Sequence, residues 1–151
     1  MTRIIFQNES GGVSVIIPTG ELPIEEVAAK DVPEGVAYEI VEDDATPADR
    51  FFRNAWVANG AAVDVDLDKA KEIQKNKIRQ VRKPLLEKLD VDFVRALELG
   101  GDTASIAAQK KALRDVTNIV TEAEITGTTI DEITTELKAI WDEDLLGQKP
   151  E

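Results

Sequence analysis

From Asp66 to Leu85 the apolar residues recur with the period of an α-helix. At about 100° per residue, Leu67, Ala70, Gln74, Ile78, Val81 and Leu85 fall within an arc of roughly 80°. A strand would alternate by two, and a disordered segment would show no arc. One face of a long helix must therefore be buried, and the rest of the chain must supply what buries it. Lys71, Lys75, Arg79, Arg82 and Lys83 occupy a second arc of roughly 120° and read as the opposing, outward face. Pro84 lies inside the pattern. It predicts either a kink or a new helix starting with Pro84 at its first position.

Downstream, Leu85, Leu86 and Leu89 continue the apolar stripe. Residues 90–99 read as a short helix, capped by Asp90 and stopped at Gly100-Gly101. Residues 103–120 read as another, with Ile106, Leu113, Val116 and Val120 within an arc of roughly 80°. A break this short predicts that the helices fold back as an antiparallel hairpin. Thr129-Ile130-Asp131-Glu132 has the form of a capping box and predicts a last helix over 129–142. Ile130, Ile133, Leu137, Ile140 and Trp141 share one side of it, Asp142-Glu143-Asp144 ends it, and residues 147–151 read as a frayed tail.

Upstream, residues 3–7 and 13–18 are rich in β-branched residues and flank Asn8-Glu9-Ser10-Gly11-Gly12, which predicts a hairpin with a longer loop. Residues 22–30 have helical spacing with Pro23 suited to the first turn, and 36–41 read as a third strand pairing with the hairpin. Pro47 to Val57 reads as a short helical turn carrying Phe51, Phe52 and Trp56, and residues 58–62 as a break. The aromatic cluster is either the plug between sheet and helices or an exposed anchor for a partner. The expected fold is α+β: a small N-terminal antiparallel sheet with a short helix, then a helical hairpin and a C-terminal helix. The expected division is an acidic αβ head over 1–60 and a helical part over 61–151.

Composition restricts the chemistry. The chain has no His and no Cys, so the commonest general base, the common nucleophilic triads, thiolate metal sites and disulfides are absent. Asp64-Val65-Asp66-Leu67-Asp68 invites a calcium loop. Its sixth and twelfth places hold Lys69 and Lys75 where Gly and Glu are needed. Asp64, Asp66 and Asp68 read instead as a helix N-terminus. The carboxylate runs Asp43-Asp44 and Asp142-Glu143-Asp144 lack flanking residues that would bury one partner, and Gly11-Gly12 and Gly100-Gly101 lack the Lys-Ser/Thr of a phosphate loop. No catalytic residue, cofactor or metal ligand is expected.

The formal net charge is −12, and residues 21–49 hold ten acids against Lys30, a net of −9. That balance disfavours nucleic acid and anionic membranes as partners. The alternative is a nucleic-acid-binding regulator using the basic helix 69–83. The N-terminus lacks the apolar core of a signal peptide, and no run approaches the roughly 18 apolar residues of a membrane span. A soluble protein made in a cytoplasm is expected.

Two stretches carry a resemblance. Pro47-Ala48-Asp49-Arg50-Phe51-Phe52-Arg53-Asn54-Ala55-Trp56 resembles a segment of small proteins encoded in bacteriophage tail regions. Arg82-Lys83-Pro84-Leu85-Leu86-Glu87 through Ala112-Leu113-Arg114-Asp115-Val116-Thr117 is similar to the C-terminal module of phage tail-fibre assembly and tail-assembly chaperone proteins. Together they span about residues 47–117. The chain departs from that module in having Val91-Asp92-Phe93 where a tryptophan is usual, and in adding the helix 129–142. The resemblance implies a non-enzymatic structural or accessory protein of the phage tail, assembled in the host cytoplasm and resident in the virion. It would dock on tail or fibre subunits as a homo- or hetero-oligomer. The alternative is a tail-fibre assembly chaperone absent from the mature particle. The interface candidates are Phe52, Trp56, Leu67, Ile78, Val81, Leu85, Leu113, Val116 and Trp141.

Overall fold

The computed structural model describes residues 1–150. The fold is α+β, with small antiparallel sheets in the N-terminal part and helices after them. The chain packs as two compact units, 1–70 with 126–135, and 71–125 with 136–151. A cut at residue 60 differs from this in two ways. The second hairpin and the first turn of the long helix belong with the head, and a later segment returns to it.

In the first unit, β1 (Thr2–Gln7) lies between β2 (Val13–Ile16) and β3 (Tyr38–Glu42), antiparallel to both. Ile4 sits opposite Ile16 on one side and Ile40 on the other. The central strand is apolar at consecutive positions because both faces of the sheet are covered. Ile4 and Phe6 pack towards Ala28 and Val32 of the stretch that includes α1 (Ile24–Asp31). Ile5 and Val41 pack on the opposite face against Trp56, Val63 and Ile130. Each large side chain buried in this way contributes about 1.5–3 kcal/mol.

The opposite face is covered by a second hairpin, β4 (Trp56–Asn59) and β5 (Ala62–Val65), with Asn59 paired to Ala62. The sequence predicts a helical turn and a break here. Residues 53–55 do form a single 3₁₀ turn, but Trp56 and Val57 are strand. The turn residues are Gly60 and Ala61, and Gly60 has φ +58°, the positive φ a type II′ turn needs at its first central position. Gln7 anchors the hairpin by accepting a hydrogen bond from the Ala58 N–H at 2.9 Å.

Asp66 caps the following helix, its carboxylate accepting from the Lys69 N–H at 3.2 Å. Asp64 does not share that role. It sits on β5 and accepts from the Asn59 side chain. The helix α2 runs unbroken from Leu67 to Leu99 with Pro84 inside it. Of the two outcomes open at Pro84 the restart is therefore not seen, and neither is the predicted cap at Asp90. The N–H that proline lacks costs one backbone hydrogen bond, and the packing on either side outweighs it.

In the second unit, α2 ends at a Schellman turn. The Gly101 N–H bonds to the Ala96 carbonyl at 2.8 Å and the Gly100 N–H to the Leu97 carbonyl at 3.3 Å, with Gly100 at φ +68°. The chain then folds back as α3 (Ala104–Asp115) and α4 (Asn118–Glu122). These replace the single helix predicted over 103–120. Ile78, Leu113, Val116, Val120 and Leu146 are the buried core, flanked by Val81, Leu85, Leu86 and Leu89. This is the predicted helical hairpin. Asp90 faces across it and binds the Lys110 ammonium at 2.6 Å, while that ammonium lies 5.1 Å over the Phe93 ring.

The capping box forms as predicted. The Glu132 N–H bonds to the Thr129 hydroxyl and the Thr129 N–H to the Glu132 carboxylate, both at 3.2 Å, at the head of α5 (Ile130–Ala139). Beyond it the predicted end at Asp142-Glu143-Asp144 is instead the start of α6 (Glu143–Leu146). The Asp142 carboxylate caps α6 by accepting from the Leu145 N–H at 3.1 Å, and Leu146 is buried in the core. No helix among the described residues is long and apolar enough to cross a membrane.

Candidate interaction surface on the long helix

The helix α2 has three classes of side chain, and their positions follow from its geometry. The first is the seam. Ile78 is buried, and Val81 and Leu85 are half-buried against the same core as Leu113 and Val116. Phe52 and Trp56, in the other unit, are 1% and 2% exposed. Five of the nine interface candidates (Phe52, Trp56, Ile78, Leu113 and Val116) are therefore core of the chain itself, because the chain supplies its own cover for its apolar arcs. Leu67 is 36% exposed at the start of α2. Trp141 is half-buried, with its indole N–H donated to the Gly147 carbonyl at 2.8 Å.

The second class is the basic arc. The sequence pattern predicts an outward face, and most of it is engaged within the chain. Arg82 donates to the carbonyls of Leu113 at 3.3 Å and Arg114 at 2.7 Å, at the C-terminal end of α3. Lys71 donates to the Ala123 carbonyl at 2.8 Å, just beyond α4. Buried Gln74, from the apolar arc, donates to the Ile140 carbonyl at 2.9 Å, just beyond α5. A helix leaves its last carbonyls without partners, and a cation there also meets the negative end of the dipole. One stretch of α2 thus satisfies the ends of three helices. Helical geometry explains the reach: Lys71 and Arg82 lie within roughly 40° of Ile78, at the border of the seam rather than opposite it.

Lys75 and Arg79 pair locally, and Lys83 is exposed. Glu72 binds Lys75 at 2.9 Å and Arg79 at 2.8 Å. Hydrogen bonds from those two cations hold the exposed Glu72 carboxyl below its usual range.

The third class was missed. Val91, Val94, Leu97 and Leu99 are 50%, 52%, 59% and 86% exposed over the last turns of α2. Val91 and Val94 lie roughly 160° and 140° around the helix from Leu89. Val91, Val94 and Leu97, three residues apart in turn, make an exposed apolar strip with the exposed Glu87, Arg95 and Glu98 around it, and Leu99 stands apart at the helix end. The signal was available: an unbroken helix through Pro84 carries the seam phase past residue 90 and leaves Val91 and Val94 off it. Reading a new helix at Asp90 reset that phase.

No three His, Cys, Asp or Glu side chains among the described residues converge as metal ligands. No family model matches the chain, and no similar curated protein or solved structure was found.

Proposed function

We propose that this chain is a non-enzymatic accessory protein of a bacteriophage tail, docking on a tail or fibre subunit through the last turns of α2. The observation that carries the reading is the exposed strip Val91, Val94 and Leu97 on a helix whose Ile78, Val81, Leu85, Leu86 and Leu89 are packed in the core. Clustered apolar exposure rimmed by charge is the usual form of a protein-docking surface. The resemblance of residues 82–117 to the tail-assembly module supports the reading, since that span is the α2–α3 hairpin itself. The basic stripe supports a protein partner over nucleic acid: phosphate contacts need free cations, and Lys71, Lys75, Arg79 and Arg82 are engaged within the chain.

Mass spectrometry of purified phage particles tests this. A tail-resident subunit is found at fixed stoichiometry with tail proteins. Absence from particles whose fibres still require the gene for incorporation points to the assembly chaperone instead. Absence together with dispensability removes both.

A further inference from the structure

The first unit contains an open cavity of about 430 Å³ between the β1–β2 loop and the turn before β4. Its wall on the loop side is fixed. The Asn8 carboxamide oxygen accepts from the Ser10 hydroxyl at 2.7 Å and the Gly12 N–H at 2.9 Å. On the other side the Arg53 N–H bonds to the Arg50 carbonyl at 3.1 Å, a turn that carries both arginines to the cavity.

The charge there is out of keeping with its surroundings. In a chain of net charge −12, neither Arg50 nor Arg53 has a carboxylate partner among the described residues, whereas Arg3 binds Asp43 at 2.9 Å. The Asn54 side chain, also in the lining, has no hydrogen-bond partner among the described residues. Lys69 adds a third cation beside the same loop, its ammonium 3.2 Å from where a Cβ on Gly11 would stand. Trp56 completes the lining, and its indole N–H is buried without a hydrogen-bond partner among the described residues. A buried donor left unpaired is costly, and such groups are few in folded proteins.

We propose that this cavity binds a small phosphomonoester. Two guanidinium forks and an amide supply more donors than the two oxygens of a carboxylate can take, and match the three terminal oxygens of a phosphoryl group. The cavity is larger than one phosphate requires. Val13, Val15 and Trp56 give an apolar wall for the organic part.

The test uses the full chain with the indole ¹⁵N–¹H resonances followed by NMR, Trp56 and Trp141 being distinguished by Trp141→Phe. Phenyl phosphate, inorganic phosphate and benzoate are titrated separately. Saturable movement of the Trp56 resonance is expected with phenyl phosphate, with affinity about tenfold weaker for inorganic phosphate and weaker still for benzoate. Arg50→Gln with Arg53→Gln is expected to lower the phenyl phosphate affinity at least about tenfold at unchanged thermal midpoint, since both side chains are exposed. Arg53→Gln alone gives an intermediate loss. No saturable shift up to about 10 mM phenyl phosphate overturns the site. So does unchanged affinity in the arginine variants. Equal affinities for phenyl phosphate and benzoate, or for the two phosphates, overturn the ligand class.

Discussion

At the scale of single residues, one cation can be a surface charge or a structural bond, and the sequence does not separate the two. Arg82 and Lys83 are neighbours in one basic run. Arg82 reaches two carbonyls at the end of α3, while Lys83 is exposed. The helical period placed Arg82 at the seam border, but its acceptors lie 31 and 32 residues away, and no local pattern encodes that distance. Arg82→Met keeps the aliphatic stem and removes the donors. It is expected to cost about 1–3 kcal/mol in urea unfolding, because the carbonyls at the helix end lose a charged partner. Lys83→Gln is expected to change stability by less than about 0.5 kcal/mol. Equal effects of the two substitutions would mean that Arg82 is an ordinary surface charge.

At the scale of elements, punctuation residues were legible where their meaning was local. The Thr129–Glu132 box and Gly100-Gly101 did what their chemistry dictates. Pro84 left a kink and a restart both open, and the helix runs on through it, because whether a helix tolerates proline depends on the packing around it. The β4–β5 hairpin is missed although Gly60-Ala61 suits the centre of a II′ turn, since the strands it joins are only four residues each. Two outcomes belong here. Pro84→Ala is expected to stabilise the chain by about 1–3 kcal/mol, since it restores an N–H in the middle of a continuous helix. A proline at the first position of a separate helix would give no gain.

The second outcome concerns the α5 cap. Hydrogen bonds from the Thr128 and Thr129 N–H groups, above all, hold the exposed Glu132 carboxyl below its ordinary value. A carboxyl depressed in the folded state stabilises above its unfolded pKa of about 4.3, and that contribution is lost as pH falls through the folded value. Glu132→Gln is therefore expected to be less stable than the parent at pH 7, with the gap closing as acid is added below about pH 4. Thermal midpoints of both proteins across pH 2–7 check this, and a gap independent of pH contradicts it.

At the scale of the whole molecule, the fold class and the hairpin were readable from periodicity, but the division into units was not. Residues 126–135 pack with a head that ends some 55 residues earlier. A scan along the chain detects boundaries, not returns. The candidate surface was half legible: the seam was identified correctly as apolar, yet most of it is consumed by the chain's own core. Leu113→Asp and Val94→Asp separate the two uses of apolar residues. Leu113 is 4% exposed in the core, so an unpaired charge there is expected to cost more than about 3 kcal/mol and to unfold much of the protein. Val94 is 52% exposed, so the same charge there is expected to leave folding intact and to disrupt the proposed docking.

The most direct test is to purify particles from phage carrying wild-type or Val94→Asp protein and to quantify the chain against tail subunits by mass spectrometry. The thermal midpoint of each isolated protein is measured alongside. A variant with the parent's midpoint but lost from the particles is the expected result. Incorporation of Val94→Asp at the wild-type level would contradict the proposed docking through the exposed end of α2.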